Sequence, residues 1–131
     1  MNVLVIEDNK TQSSLISKMI GKVNRSIVSV VAHDVFDGYF FLKAHANFDL
    51  ILLDVEMPFA KGTTLLEKIR KKSNFLDIPI VMSTSHEETQ AYLDMGATEV
   101  YQKPFGVESL EKLIAKYQRQ SDPARLDLSS T

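Results

Sequence analysis

The stretch "DLILLDVEMP", residues 49–58, sets four apolar side chains in a row, Leu50 to Leu53, and ends the run on a carboxylate, Asp54. An unbroken apolar run of this length, without alternation, reads as a strand buried on both faces. A charge at the end of such a dry strand is costly unless a partner or a cation holds it. The stretch therefore predicts an inner strand of a covered parallel sheet, with a carboxylate placed at its C-terminal end for a reason.

Working outward, four more short apolar runs lie at 3–6 ("VLVI"), 26–32 ("SIVSVVA"), 78–84 ("DIPIVMST" without its first residue) and 98–103 ("TEVYQK"), the last being the weakest. Pro79 stands near the start of its run, where a strand tolerates proline. Between the runs lie segments at helical spacing. Leu15, Ile16, Met19, Ile20 and Val23 share one face of a helix over 10–22. A second helix is predicted over 38–46 behind Asp37 as N-cap. A third spans 63–72 with a basic end, a fourth 87–95 with Gly96 as its stop, and a fifth 107–117 with Leu110, Leu113, Ile114 and Tyr117 in register. Strand and helix thus alternate five times. The expected fold is α/β: a five-stranded parallel doubly wound sheet in the order 2-1-3-4-5, with five helices on its two faces. The folded domain is expected over 1–118, and 119–131 is expected to be a mobile tail or linker, because it lacks an apolar period.

Composition narrows the class. The 131 residues suit one domain, and 44% hydrophobic content suffices for a core. Lys plus Arg is 15 against 17 for Asp plus Glu, a formal charge of -2, which argues against direct nucleic-acid binding. The absence of cysteine excludes thiolate metal sites, and His33, His45 and His86 are too scattered for a zinc site. No run approaches the length of a membrane span, and the N-terminus has no secretory pattern, so a cytoplasmic location is expected.

In a sheet of this kind the C-terminal ends of all strands lie along one edge. The residues there are Glu7 and Asp8, Asp54, Thr84 and Ser85, and Lys103. Clustered carboxylates repel unless a cation holds them, and an all-oxygen set favours Mg²⁺. A lysine adds a point charge for a phosphate, and a carboxylate can be a nucleophile toward phosphorus. Taken singly, each has a plainer reading: Asp54 as a turn residue, Glu7 and Asp8 as helix caps, Lys103 as a loop lysine. Their coincidence at four strand ends points to phosphoryl chemistry.

With "VIEDN" (5–9), "DVEMPFAKG" (54–62), "PIVMSTS" (79–85) and "GATEVYQKPF" (96–105) in order, the chain resembles the bacterial response-regulator receiver domains of two-component signalling, from about residue 2 to 118. The resemblance implies a flavodoxin-like fold and a phosphoacceptor role for Asp54. It implies Mg²⁺ held by Asp8 and Asp54, with Glu7 assisting and the Glu56 backbone carbonyl as a further ligand. Lys103 would pair with the phosphoryl group, Thr84 would hydrogen-bond to it, and the Ser85 N–H would face it. The Lys103–Pro104 bond would be cis. Glu56 and His86 would flank the path of attacking water and tune phosphoryl lifetime.

One departure stands out. The family often has an aromatic residue three places before the lysine; here that place holds Val100, with Tyr101 next to it. Successive strand residues face opposite sides, so Tyr101 does not substitute for it. The implied partners are a sensor histidine kinase or phosphotransfer protein, and a downstream protein met through the surface of helix four, strand five and helix five. A phosphorylation-dependent homodimer is compatible with this reading. The chain would not be an enzyme on other substrates. Two alternatives stay open: a receiver-like module that binds without phosphorylation, and an aspartyl phosphohydrolase in which Glu56 is the second acid.

Overall fold

A computed structural model describes residues 1–45, 47–57, 61–72, 75–104 and 106–121, without the side chains of 119–121. Five strands, β1 (Asn2–Ile6), β2 (Val28–Ala32), β3 (Leu50–Asp54), β4 (Ile80–Thr84) and β5 (Glu99–Gln102), alternate with α1 (Lys10–Val23), α2 (Val35–Ala44), α3 (Gly62–Arg70), α4 (Gln90–Asp94) and α5 (Val107–Ser121). All neighbouring strands pair parallel, in the order β2-β1-β3-β4-β5. This is the predicted topology. β3 lies at the centre and is buried at all five positions, as its apolar run demands.

The period of two sorts the core into two layers. Leu4, Ile6, Ile51, Leu53, Ile80 and Met82 join Leu42 of α2 and Leu65, Leu66 and Ile69 of α3 on one face. Val3, Val5, Leu50, Leu52 and Val81 join Met19 and Ile20 of α1 and Leu110, Leu113, Ile114 and Tyr117 of α5 on the other. Every apolar residue of the inner strands thus has a helix above it, which is why these strands read as continuous runs. Arg70 fastens the end of α3 to the first layer. Its guanidinium donates to the carbonyls of Gly96 (2.8 Å), Phe75 (3.0 Å), Leu76 (3.2 Å) and Ile78 (2.9 Å).

Several boundaries differ from expectation. α2 begins three residues early because Asp34, not Asp37, is the N-cap: its side chain accepts from the Asp37 N–H at 2.7 Å. Gly38 then lies inside the helix, where a Cβ would meet Ile6 Cδ1 at 2.7 Å, so the missing side chain lets α2 sit close on β1. α4 is shorter than expected. It buries no residue, and its N-cap Thr89 makes no side-chain capping bond, so little tertiary packing extends it. Gly96 ends that segment at φ +114°, as its residue type suggests. Leu15, placed on the core face of α1 by its spacing, is instead 55% exposed. α5 runs on through Ser121 and carries helix past residue 118, while residues 122–131 of the expected tail lie outside the described residues. No described helix is long and apolar enough to cross a membrane.

Candidate functional site

The sheet ladder continues one residue past the strands at their C-terminal edge. The Glu7 N–H donates to the Ala32 carbonyl at 3.0 Å, Val55 to Ser83 at 2.9 Å and Lys103 to Thr84 at 2.7 Å. These bonds hold the first loop residues as firmly as the strands themselves. The side chains that the strand ends carry therefore arrive at one place with little freedom.

Glu7, Asp8 and Asp54 each bring a carboxylate oxygen within 4.8 Å of the other two. Glu7 and Asp54 are both 3% exposed. Burial, followed by the hydrogen bond and charge of neighbouring Asp54, pushes the Glu7 carboxyl up to about 8. Its Oε2 is buried without a hydrogen-bond partner. An orphaned buried acceptor inside a trio of hard oxygen donors fits a small divalent cation.

Lys103 supplies the positive charge, with Nζ 2.6 Å from Asp54 Oδ1. Burial alone would lower the Lys103 ammonium, but the Asp54 hydrogen bond and charge outweigh it and hold the ammonium above its ordinary value. The Lys103–Pro104 peptide is cis, as the resemblance implies.

Glu56 does not join the carboxylate trio with its side chain. Its N–H donates to Asp54 Oδ1 at 3.2 Å, while the carboxylate turns toward β4. There Oε1 accepts from the Thr84 hydroxyl at 2.6 Å, the Ser85 N–H at 2.9 Å and the Ser85 hydroxyl at 3.0 Å. Oε2 lies 3.7 Å from Lys103 Nζ. Burial opposes the Glu56 charge, but these donors prevail and bring the carboxyl down to about 2. The His86 N–H donates to Thr84 Oγ1 at 3.1 Å, and the exposed imidazole has Nε2 3.7 Å from Glu56 Oε1.

All eight residues singled out from the sequence thus sit at one edge: Glu7, Asp8, Asp54, Glu56, Thr84, Ser85, His86 and Lys103. Pro58 of the "DVEMPFAKG" motif lies outside the described residues. Sequence reasoning missed two features. One is the grip of the Glu56 side chain on Thr84 and Ser85, which no local pattern announces. The other is a cavity of about 350 Å³ beside Lys103, lined by Gln12, Leu15 and Ile16 of α1 together with Glu7, Ser83 and Pro104. Leu15, exposed rather than packed in the core, forms part of its wall. Val100 packs with the α2–α3 layer and Tyr101 with the α1–α5 layer, so the two do point to opposite faces.

Known proteins resemble this chain over most of its described length. Residues 3–115 match the family model described as "Response regulator receiver domain". The transcriptional regulatory protein DltR of Streptococcus agalactiae is 30% identical over 128 residues, covering 95% of this chain and 55% of that protein. The chemotaxis protein CheY1 of Helicobacter pylori is 29% identical over 117 residues, covering 87% of this chain and 94% of its own. Among solved structures, the chemotaxis response regulator CheY4 of Vibrio cholerae superposes with a TM-score of 0.78 at 26% identity, over 88% of this chain and 97% of that one. The chain spans about half the length of several curated relatives it matches. A family match over most of the described fold, on a sheet of the same order, establishes that the chain belongs to the response regulator receiver domains of two-component signalling.

Proposed function

We propose that the domain accepts a phosphoryl group on Asp54 from a phosphohistidine of a sensor histidine kinase or phosphotransfer protein, in a Mg²⁺-dependent reaction. The observation that carries this reading is the Lys103 ammonium 2.6 Å from the buried Asp54 carboxylate, which also lies within 4.8 Å of the carboxylate oxygens of Glu7 and Asp8. Asp8, Asp54 and Glu7, with the Glu56 backbone carbonyl, would hold Mg²⁺, which when bound supplies charge neutralisation for phosphoryl oxygens.

An Asp54 oxygen attacks phosphorus. The P–O bond forms as the P–N bond to the donor imidazole breaks; the electron pair stays on the imidazole nitrogen, which takes a proton from solvent. Lys103 exchanges part of its pairing with Asp54 for a phosphoryl oxygen, and Thr84 and the Ser85 N–H donate to others. In the reverse half of the cycle, water attacks phosphorus and the P–O bond to Asp54 breaks, giving inorganic phosphate and the free carboxylate. Glu56 and His86 border that water's approach and set the phosphoryl lifetime.

The domain is a phosphoacceptor and no enzyme toward other substrates. Phosphorylation biases the surface formed by α4, β5 and α5, which engages a downstream protein in the cytoplasm, with a phosphorylation-dependent homodimer as one form of that engagement. The formal charge of -2 supports a protein partner over direct nucleic-acid contact.

The test is intact mass after incubation with a small acyl phosphate and Mg²⁺, with EDTA and Asp54→Ala as controls. The expected result is one added phosphoryl group that both controls abolish. No gain in folded wild type that binds Mg²⁺ would overturn the reading in favour of a phosphorylation-independent module.

A further inference from the structure

The donors assigned above to the phosphoryl group are already occupied. Glu56 Oε1 takes the Thr84 hydroxyl, the Ser85 N–H and the Ser85 hydroxyl, at 2.6, 2.9 and 3.0 Å. Its second oxygen faces Lys103 at 3.7 Å and has no hydrogen-bond donor of its own. We infer that Glu56 is a resident anion that fills the phosphoryl-oxygen cradle of the unphosphorylated domain and has to vacate it before Asp54 can hold a phosphoryl group.

The exclusion is stoichiometric. A hydroxyl and a backbone N–H each carry one hydrogen, so Thr84 and the Ser85 amide cannot serve the Glu56 carboxylate and a phosphoryl oxygen at full strength together. The two anions would also share the single ammonium of Lys103 within a half-buried site, where like charges repel strongly. Glu56 is well placed to act as such a stand-in. Its backbone is tied to the acceptor itself by the N–H bond to Asp54 Oδ1, and its side chain spans from there to β4. The contact also reaches the next loop, because the same Thr84 oxygen accepts from the His86 N–H. Occupancy by Glu56 therefore makes the acceptor site self-inhibited and holds Thr84 in its unphosphorylated setting. A role in steering hydrolytic water concerns a later step and requires no occupancy of these donors.

This inference rests on Asp54 being the phosphoacceptor, and its test separates the two. Glu56→Ala and Glu56→Gln are compared with wild type in three measurements: affinity for beryllofluoride with Mg²⁺, rate of phosphoryl gain from a small acyl phosphate, and the Ser85 amide resonance and exchange rate in metal-free protein. Glu56→Ala is expected to bind beryllofluoride and gain phosphoryl groups roughly tenfold better. Glu56→Gln should fall between, since it keeps an acceptor oxygen but no charge. In metal-free protein the Ser85 amide should shift and lose protection in Glu56→Ala. Unchanged affinity and rate in both folded variants, or a change confined to dephosphorylation, would overturn the inference. An unmoved Ser85 amide would do the same. If no protein gains a phosphoryl group, the acceptor assignment fails, while the Ser85 amide still reports whether Glu56 holds the cradle.

Discussion

Replacing Gly62 by alanine tests how closely the start of α3 approaches the end of β3. A Cβ at residue 62 would stand 2.1 Å from the Asp54 carbonyl oxygen, 3.1 Å from its carbon and 3.2 Å from Val55 Cα. All three are backbone atoms at the end of β3, so no flexible side chain can swing away. The start of α3 must retreat by about 1 Å, which strains a packed contact at about 1–3 kcal/mol. The retreat also stretches the bond from the Gly62 N–H to the Val55 carbonyl, now 3.1 Å. That bond is worth about 0.5–1.5 kcal/mol. Together the loss is about 1.5–4.5 kcal/mol, and with a urea slope near 2 kcal/mol per molar the midpoint falls by about 1–2 M. Gly21, in α1, is the control, because a Cβ there meets nothing within 4 Å. Gly21→Ala should gain up to about 1 kcal/mol from helix propensity. Equilibrium unfolding in urea reads both. A Gly62→Ala protein within about 0.5 kcal/mol of wild type, beside a stabilised Gly21→Ala, would refute the close-approach argument.

Two further outcomes follow from the same geometry. Arg70→Ala strips the donors from the carbonyls of Gly96, Phe75, Leu76 and Ile78, and is expected to cost about 2–3 kcal/mol in urea unfolding; a cost below about 0.5 kcal/mol would mean water replaces the guanidinium freely. Burial raises the Glu7 carboxyl from the 4.5 of an exposed glutamate to about 8, so between these values the native state binds more protons than the unfolded chain. Its contribution is full below the unfolded pKa and is lost as pH rises through the folded one, so metal-free protein loses stability across that window. Glu7→Gln, measured in EDTA at about pH 5 and about pH 8, should flatten this dependence; an equally steep fall in the variant would assign it to another group.

The sheet was legible because parallel strands covered on both faces need apolar side chains at every position, and "LILL" and "VLVI" supply them without a break. The site was legible for a related reason. Parallel topology sends every strand's C-terminal end to one edge, so Glu7, Asp8, Asp54, Thr84 and Lys103 converge whatever the loops do. What sequence could not reveal depends on choices between near-equal local options or on distant partners. Asp34 and Asp37 are both competent caps, and packing of Gly38 on Ile6 favours the earlier one. Residues 87–89 carry a helical composition but have no buried face to dock, so α4 starts late. The direction of the Glu56 side chain is set by Thr84 and Ser85, 28 and 29 residues away in sequence.

Strand alternation also bears on how a change at Thr84 can travel. Val100 is paired with Met82, two residues before Thr84, so residues 82, 84 and 100 share a face of the sheet. An aromatic ring at position 100 would lie on the same face as the Thr84 side chain; valine there is too small to swing as a ring does. Tyr101 is committed to the other layer, where its hydroxyl meets Glu99 at 3.4 Å and the Tyr117 hydroxyl and Lys116 bind the same carboxylate. It is thereby tied to α5 and cannot follow Thr84 without turning β5 over. Thr84 is instead bonded to the chain that leads to α4, through the His86 N–H on its hydroxyl, and that stretch enters a helix with no buried residue to resist movement. A shift of the Thr84 hydroxyl away from Glu56 therefore pulls first on residues 85–89. The loosely packed α4, rather than an aromatic side chain, is the element whose position such a shift would bias.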